Sequence, residues 1–329
     1  MMNNKIDFVI PWVDSKDEDW QRERLKYAPE DMSDDRNIRY RDFENLQYWF
    51  RGVEKFAPWV NKIHFITWGH LPSWLNVHHP KLNIVKHEDY IPNEYLPTFS
   101  SHVIEINIHR IKDLAEQFVY FNDDIFITRP VKERDFFIDG YPRDIAALDI
   151  AIKKDDIHGS AVSNGIYIIN KYFNKSKSIK SNFFKWINPI NGKYLIKTLL
   201  LTPWNYFTGF QTTHLANAYL KTTFEEVWDR EEEKLSFTCT NKFRDKRDLM
   251  QYLFKYWQLA SGNFKPIGKI GEYFNLGEKS DQAIQAIKNQ KYKLICINDS
   301  EVIDDFEGLK KSIIDSFNNI FPDKSSFEL

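Results

Sequence analysis

The chain has 329 residues, 42% hydrophobic and 16% aromatic, enough for a substantial core and too apolar for intrinsic disorder. Its 45 basic and 47 acidic residues nearly cancel, leaving a formal charge of −2, without the basic footprint of general nucleic-acid binding. The two cysteines, Cys239 and Cys296, lack metal-type spacing, which argues against a disulfide framework and suits a reducing cytoplasm.

The opening stretch, MMNNKIDFVIPWVDSKDEDW, carries a single early lysine and a short apolar run broken by Asp7 and Pro11, the pattern of neither a signal peptide nor an anchor. No window approaches the roughly 20 apolar residues of a spanning helix. Residues 6–13, IDFVIPWV, predict a buried strand ending at Asp14 in an acidic turn with Asp17 and Asp19. From about Asn37 the pattern turns helical, with Leu46, Trp49, Phe50, Val53 and Phe56 at steps of three and four until Pro58. KIHFIT (62–67) and LNIV (82–85) read as strands. Ser100 or Ser101 can cap a helix with Ile104, Ile108, Ile111 and Ala115 as its apolar stripe. His102, Glu105 and His109 then fall within about 60° of one another on the other side. FVYF (118–121) follows as a strand that runs into Asn122, Asp123 and Asp124. Strand, helix and strand in this rhythm predict α/β architecture with a largely parallel sheet.

Residues 170–185, NKYFNKSKSIKSNFFK, have no clean period and read as an inserted loop or flap. The lysines there (Lys171, Lys175, Lys177, Lys180 and Lys185) fit either a solvated face or contact with an anionic membrane surface. Residues 247–260 read as a helix, and YKLICIND (292–299) is a second strand ending in Asn-Asp. A closing helix carries Phe306, Leu309, Ile313, Phe317 and Ile320 on one face. Repeats and interdomain linkers are absent, so a single domain is expected.

In open α/β sheets, ligands sit beyond the carboxyl ends of the strands. Asp14, Asn122-Asp123-Asp124 and Asp299 all stand there. Paired carboxylates at such a place hold Mg²⁺ or Mn²⁺, hard ions that bridge phosphates, yet Asn and Asp also favour plain turns. The spacing H-x-x-E-x-x-x-H of the second helix is not a zinc motif, which leaves a solvated face or a polar face lining a cleft.

These residues resemble the Stealth family. IDFVIPWVDSKDEDW is similar to its first signature block, usually written PWVDGxDPxW. The run from RYRDFENLQYWF through FVYFNDDIFITRPV resembles the long second block almost continuously. HLANAYLKTTFEEVW through NKFRDKRDLMQYLFKYWQLASG is similar to the third, and KLICINDSE to the fourth. The blocks fall near residues 5–20, 38–131, 214–262 and 291–301, in family order, within one catalytic domain of residues 1–329 with a variable insert or flap at 170–213. The resemblance implies a Rossmann-like, nucleotide-sugar-transferase-type fold with a helical insert, and a hexose-1-phosphate transferase of capsular or cell-wall polysaccharide synthesis. It implies a UDP-sugar donor, a glycan or lipid-linked oligosaccharide acceptor, and Mg²⁺ or Mn²⁺.

The matching positions assign Asp124, the second acid of the family's NDD, together with His214, Arg244 and Asp299, as catalytic residues. Asp123 and Asp124 are expected to hold the metal. His214 is expected to act as general base and Arg244 as phosphate clamp, while Asp14, Asn122, His102, His109 and Arg110 line the donor site. Three departures stand out: Ser15 replaces the usual Gly, LANAY rather than a Pro-containing run follows His214, and Ser300 replaces the second acid of the fourth block. Two alternatives are a metal-dependent glycosyltransferase that releases UDP and a noncatalytic carbohydrate-binding protein with aromatics stacked on sugars. The expected location is the cytoplasm, in peripheral contact with the inner face of the plasma membrane.

Overall fold

Side chains alternate across a strand, so a strand buried on both faces must be apolar nearly throughout. The computed structural model describes residues 5–28, 41–300 and 302–329, and its first strand, β1 (Ile6–Pro11), meets this condition. Ile6, Phe8 and Ile10 enter a core on one face of the sheet, and Val9 enters a second core on the other. Asp7, the break in the apolar run, is fully buried and accepts from Asn61 Nδ2 at 2.6 Å and Ala115 N at 2.8 Å, with His64 Nε2 at 3.0 Å. Those partners hold its carboxyl below the usual range against the opposing effect of burial.

The strands β2 (Ile63–Thr67), β3 (Leu82–Lys86), β4 (Gln117–Tyr120) and β8 (Asn217–Leu220) complete a five-stranded sheet in the order β3-β2-β1-β4-β8. Every pairing is parallel except β4 with β8, which is antiparallel. A second sheet, β10 (Gly271–Asn275), β11 (Leu294–Asn298) and β5 (Ile125–Ile127), and a small third one, β6 (Phe137–Ile138), β7 (Tyr141–Asp144) and β9 (Lys265–Pro266), lie beside it. The α/β class and the largely parallel sheet expected from the sequence are both present. One core packs the helices Leu46–Phe56 and Phe306–Ile320 against the sheets, and the other packs Ser101–Ile106, Ile157–Tyr172, Lys221–Thr240 and Tyr252–Ser261.

Several local expectations are corrected. The acidic turn after Asp14 becomes a helix, Glu18–Tyr27, because Asp17 accepts from Trp20 N as its cap. The helical pattern expected from Asn37 falls partly outside the described residues, and the helix begins at Leu46. The helix expected at 247–260 starts at Tyr252. Residues 170–185 are not a loop: they form helices at Lys175–Ser181 and Phe183–Trp186, with Lys175 and Trp186 buried. The helix after Ser100 stops at Ile106, where Asn107 turns its amide back onto Val103 O at 2.9 Å and Cys239 Sγ at 3.2 Å. A 3-10 turn, Ile108–Arg110, follows, so His109 leaves the face shared by His102 and Glu105.

Gly52 sits in the helix Leu46–Phe56 where it crosses β5, and a Cβ added there would stand 2.7 Å from Ile127 O. In an open helix Gly→Ala gains up to about 1 kcal/mol. Here Gly52→Ala is expected to cost roughly 1–3 kcal/mol in urea unfolding, because backbone cannot yield to a methyl group.

Candidate active site

The chain builds β1, β2 and β3 outward in one direction, then returns to place β4 on the other side of β1. The carboxyl ends of β1 and β4 therefore flank the switch point where such sheets bind ligands. Asp14 follows β1, and Asn122, Asp123 and Asp124 follow β4. At Asp124 the chain crosses into the second sheet, with its carbonyl accepting from Ile297 N at 2.9 Å before β5 pairs antiparallel with β11. Because β8 runs opposite to β4, with Asn217 across from Tyr120, the residues just before β8 arrive at the same end. This geometry brings His214 and Cys296 to Asp124.

His214 Nε2 lies 3.6 Å from Asp124 Oδ2, and Cys296 Sγ lies 3.2 Å from the same oxygen. Tyr252 Oη faces His214 Nδ1 at 3.5 Å, and Tyr273 meets the imidazole edge-on at 5.5 Å between centroids. Both imidazole contacts are longer than ordinary hydrogen bonds, so neither nitrogen is locked. His214 has φ +45°, a left-handed backbone that aims its ring into the cleft. Burial pulls its pKa down, but the Asp124 carboxylate 3.6 Å away, with Glu105 behind, raises it above the ordinary value overall. A cleft of about 480 Å³ opens beside His214, lined also by Tyr194, Tyr252, Lys269, Tyr273 and Lys279.

Asp123 reaches solvent but stands in a concavity, where desolvation followed by the charge of Asp124 pushes its carboxyl up to about 7. Asp42 adds to the rise, and Arg244 is close enough for its charge to oppose it. Arg244 is fixed by donating from Nη2 to Ser101 Oγ at 2.5 Å. Asp124, His214 and Cys296 each place one ligand atom within 4.8 Å of the others. Asp124 Oδ1 is buried without a hydrogen-bond partner, which leaves an acceptor open to a cation. Burial and Asp124 push the Cys296 thiol well above its usual value, so it stays protonated. A protonated sulfur suits neither Mg²⁺ nor Mn²⁺, which take oxygen ligands.

The remaining expected residues are spread more widely. Asp14 is partly exposed: its N–H donates to His70 Nε2 at 2.7 Å, and its carboxylate accepts from Lys16 N at 2.8 Å. Asn122 is half-buried in the turn, its carbonyl accepting from Ile125 N at 3.2 Å. Asp299 is held by Arg41, which donates to both its oxygens at 2.8 and 2.7 Å. His102 is buried, and its Nδ1 meets the fully buried Asp248 at 2.9 Å. His109 is buried near Phe224 and Trp228, and desolvation, with Arg110 and Lys221 nearby, pushes its pKa down to about 3. Arg110 lies outside on the ring of Trp228, 4.6 Å from its centroid.

The residues missed in the sequence are Cys296, Arg41, Tyr252, Tyr273 and the two cleft lysines. Glu105, already paired with His102 in the pattern, is buried and accepts from Tyr120 Oη at 3.2 Å, while its Oε2 has no partner. His102→Ala should cost about 1–3 kcal/mol in chemical denaturation, because it removes one buried partner of Asp248, which keeps Asn241 Nδ2 and Asp245 N at 2.7 and 2.8 Å.

An α/β fold with acids, an imidazole and a guanidinium gathered at its switch point is the arrangement in which such folds carry ligand and active sites. Residues 39–144 match the family pattern described as Stealth protein CR2, conserved region 2. Capsular polysaccharide phosphotransferase WcwK of Streptococcus pneumoniae is 46% identical over 328 residues, covering 98% of both chains. Receptor polysaccharide phosphotransferase WefC of Streptococcus oralis is 40% identical, covering 99% of this chain and all of that one. Exopolysaccharide phosphotransferase cps2G of Lactiplantibacillus plantarum is 36% identical over 98% of this chain and 96% of its own length. The chain belongs to the Stealth family of polysaccharide phosphotransferases. Among solved structures, the galactosyltransferase LgtC gives a TM-score of 0.43 at 8% identity over 97% of this chain and 96% of that one, too remote to bear on chemistry.

Proposed function

We propose that the chain transfers hexose-1-phosphate, or N-acetylhexosamine-1-phosphate, from a UDP-sugar to a hydroxyl of a glycan or lipid-linked oligosaccharide. The product is a phosphodiester within a capsular or cell-wall polysaccharide. The observation that carries this reading is the meeting of Asp124 and His214 at the crevice between β1 and β4, with Asp123 and Arg244 beside them. The transfer forms a bond from the acceptor oxygen to the sugar-proximal phosphorus and breaks the one to the departing nucleoside monophosphate. Such chemistry rests on positioning and charge neutralisation.

In this reading His214, which is partly exposed in the cleft, takes the acceptor proton, whereas the buried His102 and His109 take no part. Arg244, held by Ser101, presents its fork of donors to the phosphoryl oxygens. Asp123 and Asp124 would hold Mg²⁺ or Mn²⁺, which when bound offsets the diphosphate charge. The unpartnered Oδ1 of Asp124 supports that assignment. Asp299, gripped by Arg41 and followed by Ser300, whose carbonyl also accepts from Arg41 at 2.7 Å, ties residues 41–42 to the site. We also assign residues 170–213 as the family's variable insert within one catalytic domain.

We also assign its work to the inner membrane face, on a lipid-linked acceptor; no helix among the described residues is long and apolar enough to cross a membrane. The released nucleotide tests the reading. Given UDP-hexose, Mg²⁺ or Mn²⁺ and the acceptor glycan, chromatography should find UMP; UDP would mean glycosyl transfer to a plain glycosidic product.

A further inference from the structure

From Ile157 to Phe224 the chain contains no aspartate or glutamate and eight lysines, although acids are about one residue in seven of the whole. The helix Tyr194–Leu201 lies within this stretch and turns its apolar side outward. Its inner side is fixed: Thr198 and Leu201 are buried, and Thr198 Oγ1 accepts from Leu148 N at 3.0 Å. Ile196, Leu199 and Leu200, spaced i, i+3, i+4, are 66%, 50% and 69% exposed, and Trp204 and Tyr206 follow at 59% and 68%. The adjoining loop adds Ile150 and Ile152, also exposed, and is held there by Lys197 Nζ on Asp149 at 2.6 Å and by Ala151 N on Thr208 O at 2.9 Å. The display is built rather than frayed. The buried ammonium of Lys175 donates to the carbonyls of Leu201, Thr202 and Trp204, fixing the turn that carries Trp204.

We propose that this surface docks on an anionic lipid bilayer. Ile196, Leu199 and Leu200 enter the headgroup–acyl boundary, Trp204 and Tyr206 sit at headgroup level, and the exposed Lys177, Lys180 and Lys193 meet lipid phosphates. Charge selects this occupant over a second copy of the chain. A two-fold dimer would set the exposed Lys177, Lys180 and Lys193 against their own copies, while the acids of the adjoining loop are engaged, Asp149 by Lys197 and Asp155 by Lys246; an anionic surface complements those lysines. Tyr194, at the start of the same helix, lines the cleft that holds His214. An acceptor anchored in lipid thus reaches the cleft along the docking helix; this last step rests on the proposed function, but the docking itself does not.

Flotation with vesicles of phosphatidylcholine and phosphatidylglycerol at 3:1, against phosphatidylcholine alone, tests the proposal. The protein should float with the anionic vesicles only, with a blue shift of tryptophan emission. Ile196→Ser combined with Leu200→Ser and Trp204→Ala should weaken binding at least tenfold, and Lys180→Glu with Lys193→Glu should weaken it severalfold without touching an apolar residue. The apolar variant should release nucleotide normally with a water-soluble acceptor, which separates docking from catalysis. Absence of vesicle binding by the wild type, or equal binding by both variants, would overturn the proposal. So would a wild-type dimer in sedimentation equilibrium that the apolar variant dissolves. Vesicle binding by a protein that releases UDP instead of UMP would refute the proposed function while leaving the docking surface in place.

Discussion

Asp124→Asn is expected to lower turnover by roughly a hundred- to a thousandfold while leaving the fold intact. The side chains have nearly the same shape, so the Cys296 thiol at 3.2 Å keeps an acceptor and the β5–β11 corner is undisturbed. What disappears is the charge, on a carboxylate that stands 3.6 Å from His214 and carries an unpartnered buried oxygen. Steady-state kinetics at saturating Mg²⁺ or Mn²⁺, beside urea unfolding of both proteins, check this. Near wild-type turnover, or a loss explained by unfolding, would remove Asp124 from the chemistry. The same reading expects excess EDTA to abolish activity of the wild type.

Replacing His214 should be comparably damaging, by roughly 10²–10⁴ in kcat if proton removal is its task. The substitution needs care, because His214 has φ +45° and alanine is strained in that region. His214→Asn is the better variant, since asparagine tolerates the left-handed backbone and cannot act as a base near neutrality. Donor affinity by calorimetry should change little while kcat collapses. If kcat holds and affinity falls instead, His214 orients the donor and does not take the proton. Arg244→Lys should also lose activity, because an ammonium cannot reproduce the two parallel bonds of a guanidinium.

The sheet was legible because its strands are buried on both faces and so read as apolar runs: IDFVIP, IHFIT and QFVY stand close to where periodicity put them. The acids at the strand ends followed from the same logic. The company of Asp124 was not legible, because it depends on strand direction. His214 reaches it only through antiparallel β8, and Cys296 only because β11 pairs with β5, over separations of 90 and 172 residues that no local pattern reports. The His102–Glu105–His109 face failed for a local reason: Asn107 ends the helix with its own side chain, and a 3.6-residue period cannot be carried across that break. The pairing of Asp299 with Arg41 was not legible either, because the two lie 258 residues apart.

Sugar-phosphate transfer and glycosyl transfer differ in which bond of the donor breaks. UDP-hexose labelled with ³²P at the sugar-proximal phosphorus, incubated with purified protein, divalent metal and acceptor glycan, distinguishes the two possibilities in one measurement. Attack at that phosphorus carries the label into the polysaccharide and leaves unlabelled UMP, which is the predicted result. Label recovered wholly in UDP, with none in the glycan, would contradict it.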